Sequence, residues 1–136
     1  MLYYANFNYA DDGITVTFPD IPEVITCGQT TAEALEMAED VLLCAVEVYF
    51  DDNRPFPLAR AAKEGETAVN LPDTVYAKVL LHNRLLESGW NKSKLAEAIN
   101  TNAPEINRIF NVRRSTKIDT ISRALAALGH PLHLSA

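Results

Sequence analysis

The stretch Lys92–Phe110, KSKLAEAINTNAPEINRIF, decides how this chain is read. Leu95, Ala96 and Ile99 give one short helix an apolar inner face. Asn100 follows where the chain must turn sharply through positive φ, a conformation that asparagine tolerates better than most residues bearing a side chain. Asn102 is placed to cap a second helix, and Pro104 falls in its first turn, where the missing N–H costs nothing. Ile106, Ile109 and Phe110 face inward and leave Glu105, Asn107, Arg108 and Asn111 outside. This is the pattern of a helix-turn-helix, whose second helix enters the DNA major groove. Ala96 is small where the two helices approach most closely. The bland alternative is a pair of ordinary packed helices. Against it stand the shared register of the apolar, small and αL-tolerant positions and the sign of the neighbouring charge.

On this reading Asn102, Glu105, Asn107 and Arg108 face the groove, with Asn107 suited to adenine and Arg108 to guanine. Arg113, Arg114 and Lys117 cluster in the loop that follows and are expected along phosphates. Asn111 and Ser115 complete the expected DNA-binding set.

Working outward, the charge divides. Residues 1–73 carry three basic side chains against fourteen acidic ones, a net −11, whereas 74–136 carry nine against four, a net +5. The formal charge of −6 for the whole chain hides a basic C-terminal module. An acidic first half repels a polyanion, so it should bind something else or face away from DNA; a merely solvated acidic face is the alternative. The boundary is placed at about Asp73. Residues 1–73 then form one domain including a linker, and 74–136 form a DNA-binding and dimerisation domain. Each half is small enough that shared burial or oligomerisation is expected.

The first half reads as β-β-β-α-β. Leu2–Tyr9 alternates, with Tyr3, Ala5, Phe7 and Tyr9 on one face, and Asp11-Asp12-Gly13 is a hairpin turn signal. Ile14, Val16 and Phe18 alternate with Thr15 and Thr17. Pro19 and Pro22 break that strand, leaving Val24–Cys27 as a short third one closed by Gly28. Thr30-Thr31-Ala32-Glu33 is a capping box for a helix running to about Phe50. Its apolar stripe is Leu35, Ala38, Val41, Leu42, Ala45, Val46 and Tyr49, with Glu36, Glu39, Asp40 and Glu47 mainly opposite. Pro55 and Pro57 lead onward to a fourth strand, Thr67–Leu71. In the second half, Asp73 or Thr74 caps a helix through Ser88, with Val75, Val79, Leu80, Leu85 and Leu86 in its core and Gly89 as its stop. Trp90 staples the corner. Thr116 caps a last helix, about Lys117–Leu128, ended by Gly129. The short alternating segment Pro131–Ser135 is suited to pair with its copy in a second subunit. The fold class is therefore α+β: a β-β-β-α-β module followed by an all-α helix-turn-helix domain.

No apolar run approaches the roughly 20 residues needed to cross a bilayer. The start, MLYYANFNYA, has neither a basic n-region nor a long apolar core, so no signal peptide is expected and a cytoplasmic setting is. Cys27 and Cys44 have no metal-ligand companions and read as partly buried free thiols, with a disulfide as the alternative. His82, His130 and His133 are scattered, read as helix-surface or strand residues, and offer neither a triad nor a metal spacing. No Gly-rich phosphate loop is present.

At this point the chain resembles the HicB antitoxin family over nearly its whole length. The segments that carry the resemblance are FPDIPEVITCGQTTAEALEMAEDVLLCAVEVYF, DDNRPFPLARA and LAEAINTNAPEINRIFNVRRSTKIDTISRALAALGHPLHL. The last alone is shared with many Cro/repressor-like proteins. The resemblance implies a truncated ribonuclease-H-like N-terminal module that binds and neutralises a HicA-type toxin, a small basic ribonuclease that cleaves messenger RNA. It also implies a C-terminal module that binds the operator of its own operon, and because one helix-turn-helix reads only a short half-site, a homodimer or tetramer is expected. The charge reading supports both roles separately.

Two other classes compete. A stand-alone repressor would carry a ligand-sensing N-terminal domain with a pocket of convergent polar groups. A metal-dependent nuclease of ribonuclease-H-like fold would need carboxylates converging on two ions about 4 Å apart. Asp11 and Asp12 sit in an expected turn, and Glu36, Glu39 and Asp40 on an expected outer face. No catalytic residue, no metal ligand and no cofactor is therefore expected, and the chain is read as a non-enzyme.

Overall fold

The alternation of the first residues becomes a β-hairpin. The computed structural model describes all residues 1–136. Strand β1 (Leu2–Ala10) pairs antiparallel with β2 (Gly13–Phe18) through an Asp11-Asp12 turn, with Phe7 opposite Val16 and Ala10 opposite Gly13. Strand β3 (Ile21–Gly28) pairs antiparallel with β2, and β4 (Thr67–Asn70) with β1, in the order β3-β2-β1-β4. Tyr3, Ala5, Ile14, Val16, Phe18 and Val69 are buried on one face of this sheet. Helix α1 (Thr31–Asp51) buries Ala34, Ala38, Leu42, Ala45 and Val46. The apolar stripe of the helix and the dry face of the sheet satisfy each other.

The helix lies close because of one glycine. A Cβ on Gly28 would stand 2.5 Å from the Ala34 nitrogen and 2.7 Å from its Cα, both backbone atoms that cannot swing aside. Thr30 caps the helix, its Oγ1 accepting from the Glu33 amide at 3.1 Å.

Beyond α1 follow α2 (Asp73–Ser88), α3 (Lys92–Ala98), α4 (Ala103–Ile109) and α5 (Ile118–Ala127). The chain is thus a mixed α+β protein, an N-terminal antiparallel sheet with helices. It gathers into two compact units, Met1–Val48 with Pro57–Pro72, and Tyr49–Phe56 with Asp73–Ala136. In the sheet unit, Arg60 fastens the 57–66 loop to the Pro19-Asp20 corner. Its Nε donates to Asp20 and its two terminal nitrogens to Glu66, all at 2.8 Å. In the helical unit, Leu81 and Leu85 of α2, Leu95 and Ile99 of α3, Ile106 and Ile109 of α4, and Ile121 and Leu125 of α5 share one core, with Trp90 packed at its edge.

Several sequence expectations need correction. Strand β3 begins at Ile21, so Pro22 lies inside it. The register slips between Thr17 and Phe18, and β3 is an edge strand, so the missing N–H of Pro22 removes no regular ladder bond. Leu35, Val41, Leu80 and Leu86 are only half-buried, and Ala34, Ala77 and Leu81 take the inward positions. Cys27 is exposed, on the wet face of that edge; neither cysteine is in a disulfide. Thr116 does not cap α5. Lys117 occupies the cap position without a side-chain bond, and the Thr116 hydroxyl is buried with no partner. Residues 130–136 carry no strand in the single chain, where Leu134 is 79% exposed.

His82 is not a surface residue. It is 4% exposed, stacked on Phe50 at 4.2 Å, and its Nε2–H donates to the Arg54 carbonyl at 2.8 Å. Burial pushes its pKa below the ordinary 6.5, and the bond to Arg54 only partly offsets this.

Candidate nucleic-acid interface

Helix α3 starts at an Asn91 cap, whose side chain accepts from the Lys94 amide at 2.8 Å. It ends at Ile99, and Asn100 turns the chain at φ 56°, the left-handed value its sequence context called for. The Thr101 amide closes this turn on the Ala96 carbonyl at 2.8 Å. Ala96 is 7% exposed, its small side chain part of the core that α3 and α4 share. Asn102 then caps α4, its Oδ1 accepting from the Glu105 amide at 3.0 Å, with Pro104 in the first turn. Ile106, Ile109 and Phe110 are buried. That burial fixes the rotation of α4 and turns Asn107 and Arg108 outward to solvent.

After α4 comes a tight turn. The Asn111 side chain accepts from the Arg113 amide at 3.0 Å, and the Arg114 amide donates to the Asn111 carbonyl at 3.1 Å. Asn111, Arg113, Arg114 and Ser115 are all exposed around this turn.

Of the residues singled out in the sequence, Glu105, Arg108, Ser115 and Lys117 line one cleft of about 550 Å³, together with Thr116 and Thr120. Glu105, half-buried there, is the single carboxylate of a lining that also holds Arg108 and Lys117. Asn102, Asn107, Asn111, Arg113 and Arg114 lie outside the cleft lining. The side-chain oxygens of Asn102 and Asn111 each accept from the backbone, which leaves the amide nitrogen and one oxygen lone pair for a ligand. Lys92 and Lys94 lie over the Phe110 and Trp90 rings, at 5.0 and 4.7 Å, and so hold their charge beside the same helices.

Sequence reasoning missed Thr120, and it missed Lys78 altogether. Lys78 is 1% exposed, and its Nζ donates to the Asn111 and Arg114 carbonyls at 2.9 and 2.8 Å. The available signal was its spacing, because Val75, Lys78, Leu81 and Leu85 form one helical stripe in which Lys78 is the lone charge.

The sheet unit offers a different surface. Glu36, Glu39 and Asp40 on the outer side of α1 share a shallow cleft of about 420 Å³ with Met37, Leu43, Asn70 and Pro72. Met37 there is 41% exposed. No three or more carboxylate, imidazole or thiol groups come together anywhere in the chain in a way that could hold a metal ion. No helix is long and apolar enough to cross a membrane.

Comparison with known proteins points in one direction. A family model described as the HicB-like antitoxin of bacterial toxin–antitoxin systems matches residues 3–80. "Antitoxin HicB 2" of Photorhabdus laumondii is 44% identical over all of this chain and 96% of its own length. "Antitoxin HicB" of Escherichia coli K12 is 42% identical over 91% of this chain and 90% of its own. The Pseudomonas fluorescens protein of the same name is 35% identical over 99% and 94%.

Proposed function

The chain belongs to the HicB-like antitoxin family of bacterial toxin–antitoxin systems, and on that footing we propose that it neutralises a HicA-type RNA-cleaving toxin and represses its own operon. The sheet unit, read as a truncated ribonuclease-H-like module, takes the toxin. The helical unit takes operator DNA, with α3, the Asn100 turn and α4 as its helix-turn-helix.

The observation that carries this reading is the outer side of α4 and the turn after it. Asn107 and Arg108 are held outward by a helix whose other side is locked into the core, and four exposed residues from Asn111 to Ser115 follow at once. Base-reading groups on a rigid helix beside a basic turn make a major-groove reader with phosphate clamps. The acidic residues of the sheet unit supply the complementary half. A basic nuclease is steered toward Glu36, Glu39 and Asp40, and away from α4.

A single helix-turn-helix reads a short half-site, so specific binding needs two copies with half-sites about 34 Å apart. The last helix and residues 132–135, which form no strand in the single chain, are the segments assigned to that association. Deleting Pro131–Ala136 is expected to weaken operator binding through loss of the dimer.

The test is a pair of substitutions in the full chain. Arg108→Ala relaxes base preference at one operator position, a discrimination of about 2 kcal/mol. Arg113→Ala weakens binding to all sequences alike and lowers the salt slope by about one unit. Neither substitution changes neutralisation of the toxin. Footprinting and salt titration separate the two effects. Equal, sequence-independent losses would remove Arg108 as a base reader, and no loss from either would end the DNA reading.

A further inference from the structure

We infer that Lys78 is a positioning residue for DNA contact: its buried ammonium grips both ends of the Asn111–Arg114 turn and so fixes where Arg113 and Arg114 present their charge. This rests on the DNA reading above and adds to it a residue that never touches DNA.

The geometry is specific. Lys78 sits mid-way along α2, far in sequence from the turn, and is 1% exposed. Its Nζ donates to the carbonyl of Asn111, the first residue of the turn, and to that of Arg114, the last. The Asn111 carbonyl already accepts from the Arg114 amide. The Arg114 carbonyl, however, gains in Lys78 a donor that the turn itself does not provide. No carboxylate pairs with the ammonium. The one charged side chain whose field reaches it is Arg108 on α4, a like charge, and the Arg113 and Arg114 side chains are exposed. An apolar residue at position 78 would fill the stripe without these costs. What lysine adds is a tether to two carbonyls and a positive charge placed behind the basic turn.

That charge is weakly held. Burial, and then Arg108, lower the Lys78 pKa to about 8. Above that pH the neutral amine still has two N–H groups for the two carbonyls, so the turn persists while its supporting charge is lost. DNA phosphates brought near the turn favour the protonated form. Binding at a pH above about 8 is therefore accompanied by proton uptake at Lys78.

The experiment uses the full-length chain and a duplex taken from the region upstream of its own gene. Lys78→Met is expected to weaken binding about tenfold through loss of the two charged hydrogen bonds that hold the turn. It should also lower the salt slope, since Arg113 and Arg114 are no longer held on phosphates, while the base preference set by Asn107 and Arg108 stays. Wild-type affinity should fall as pH rises through about 8, with proton uptake seen as a buffer-dependent heat of binding. Lys78→Met and Lys78→Gln should show neither, and Lys78→Gln, which keeps a neutral donor, should retain more affinity than Lys78→Met. If Lys78→Met does not fold, the pH profiles of wild type and Lys78→Gln decide alone. A wild type that ignores the duplex would overturn the DNA reading itself. A wild type that binds, with both variants matching it in salt slope and pH profile, would overturn the role of Lys78 and leave that reading standing.

Discussion

In the sheet unit the backbone polar groups are satisfied by a ladder in which β1 is paired along both edges and β2 likewise. In the helical unit two seven-residue helices leave orphan amides at their starts, and the side chains of Asn91 and Asn102 each satisfy one, while Asn111 accepts from an amide of the turn after α4. The contrast bears on what each surface is free to do. The sheet unit needs few side chains for its own architecture, so its acidic outer face is available to a partner. The helical unit spends polar side chains on its own turns. Its asparagines at 102 and 111 are fold-makers first, so the DNA recognition proposed above would rest on Asn107, Arg108 and the basic turn. A short helix with unsatisfied termini cannot leave its cap residues idle.

Truncating the two cores puts the strongest strain on this contrast. Ile109→Ala in the helical unit and Leu42→Ala in the sheet unit each empty a fully buried site and should cost about 3 kcal/mol. The single tryptophan, Trp90, lies at the edge of the helical core, so its fluorescence follows that unit. Urea unfolding read at Trp90 should shift for Ile109→Ala far more than for Leu42→Ala. Equal shifts would mean that the units unfold as one and that the division is one of surface only.

Gly28→Ala comes next. Its Cβ meets the backbone of Ala34, which forces α1 off the sheet at a cost of about 2 kcal/mol. Toxin neutralisation should suffer while DNA binding and Trp90 fluorescence hold. A variant of wild-type stability would show that the close approach is not required.

Asn100 is a smaller test within the helical unit. At φ 56°, alanine should cost about 1 kcal/mol and glycine almost nothing. If Asn100→Gly were as damaging as Asn100→Ala, the side chain and not the backbone conformation would be what matters there.

The smallest difference is one of pH. Arg60, and then the Lys63 amide, hold the Glu66 carboxyl down at about 2, below its ordinary 4.5. A carboxylate depressed in the folded state adds stability that is complete above 4.5 and is lost as pH falls toward about 2. His82 is also depressed, by burial, from 6.5. The unfolded chain takes up that proton more readily, so the helical unit loses stability already as pH falls below about 6.5. Denaturation at stepped pH should therefore show the Trp90 signal weakening first and exchange of the β1 and β2 amides rising only in stronger acid. The reverse order would place the acid-sensitive group in the wrong unit.

Much of this was legible locally. Alternation fixed the hairpin, the Thr30 cap marked the start of α1, and Asn100, Asn102 and Pro104 marked the turn into α4, because each depends on residues within a few positions. The division of charge needed only counting. Other features depended on partners remote in sequence. Pro22 reads as a strand breaker until β3 is known to be an edge with a slipped register. Thr116 reads as a cap, although the cap position is Lys117 and the Thr116 hydroxyl is enclosed without a partner. Tyr49–Phe56 belongs with the helical unit, where Phe50 stacks on His82, the Arg54 carbonyl accepts from His82 and both polar backbone groups of Phe56 are taken by Asn83.

The sequence by itself determined the α+β order, the turn at Asn100, the caps at Thr30 and Asn102 and the acidic and basic halves, since these follow from side-chain periodicity, backbone preference and formal charge. The tertiary structure alone decided that Lys78 and His82 are interior. A lysine or histidine on a helix is ordinarily solvated, and its burial becomes tolerable only when distant carbonyls, here those of Asn111 and Arg114 for one and Arg54 for the other, arrive to replace the lost water.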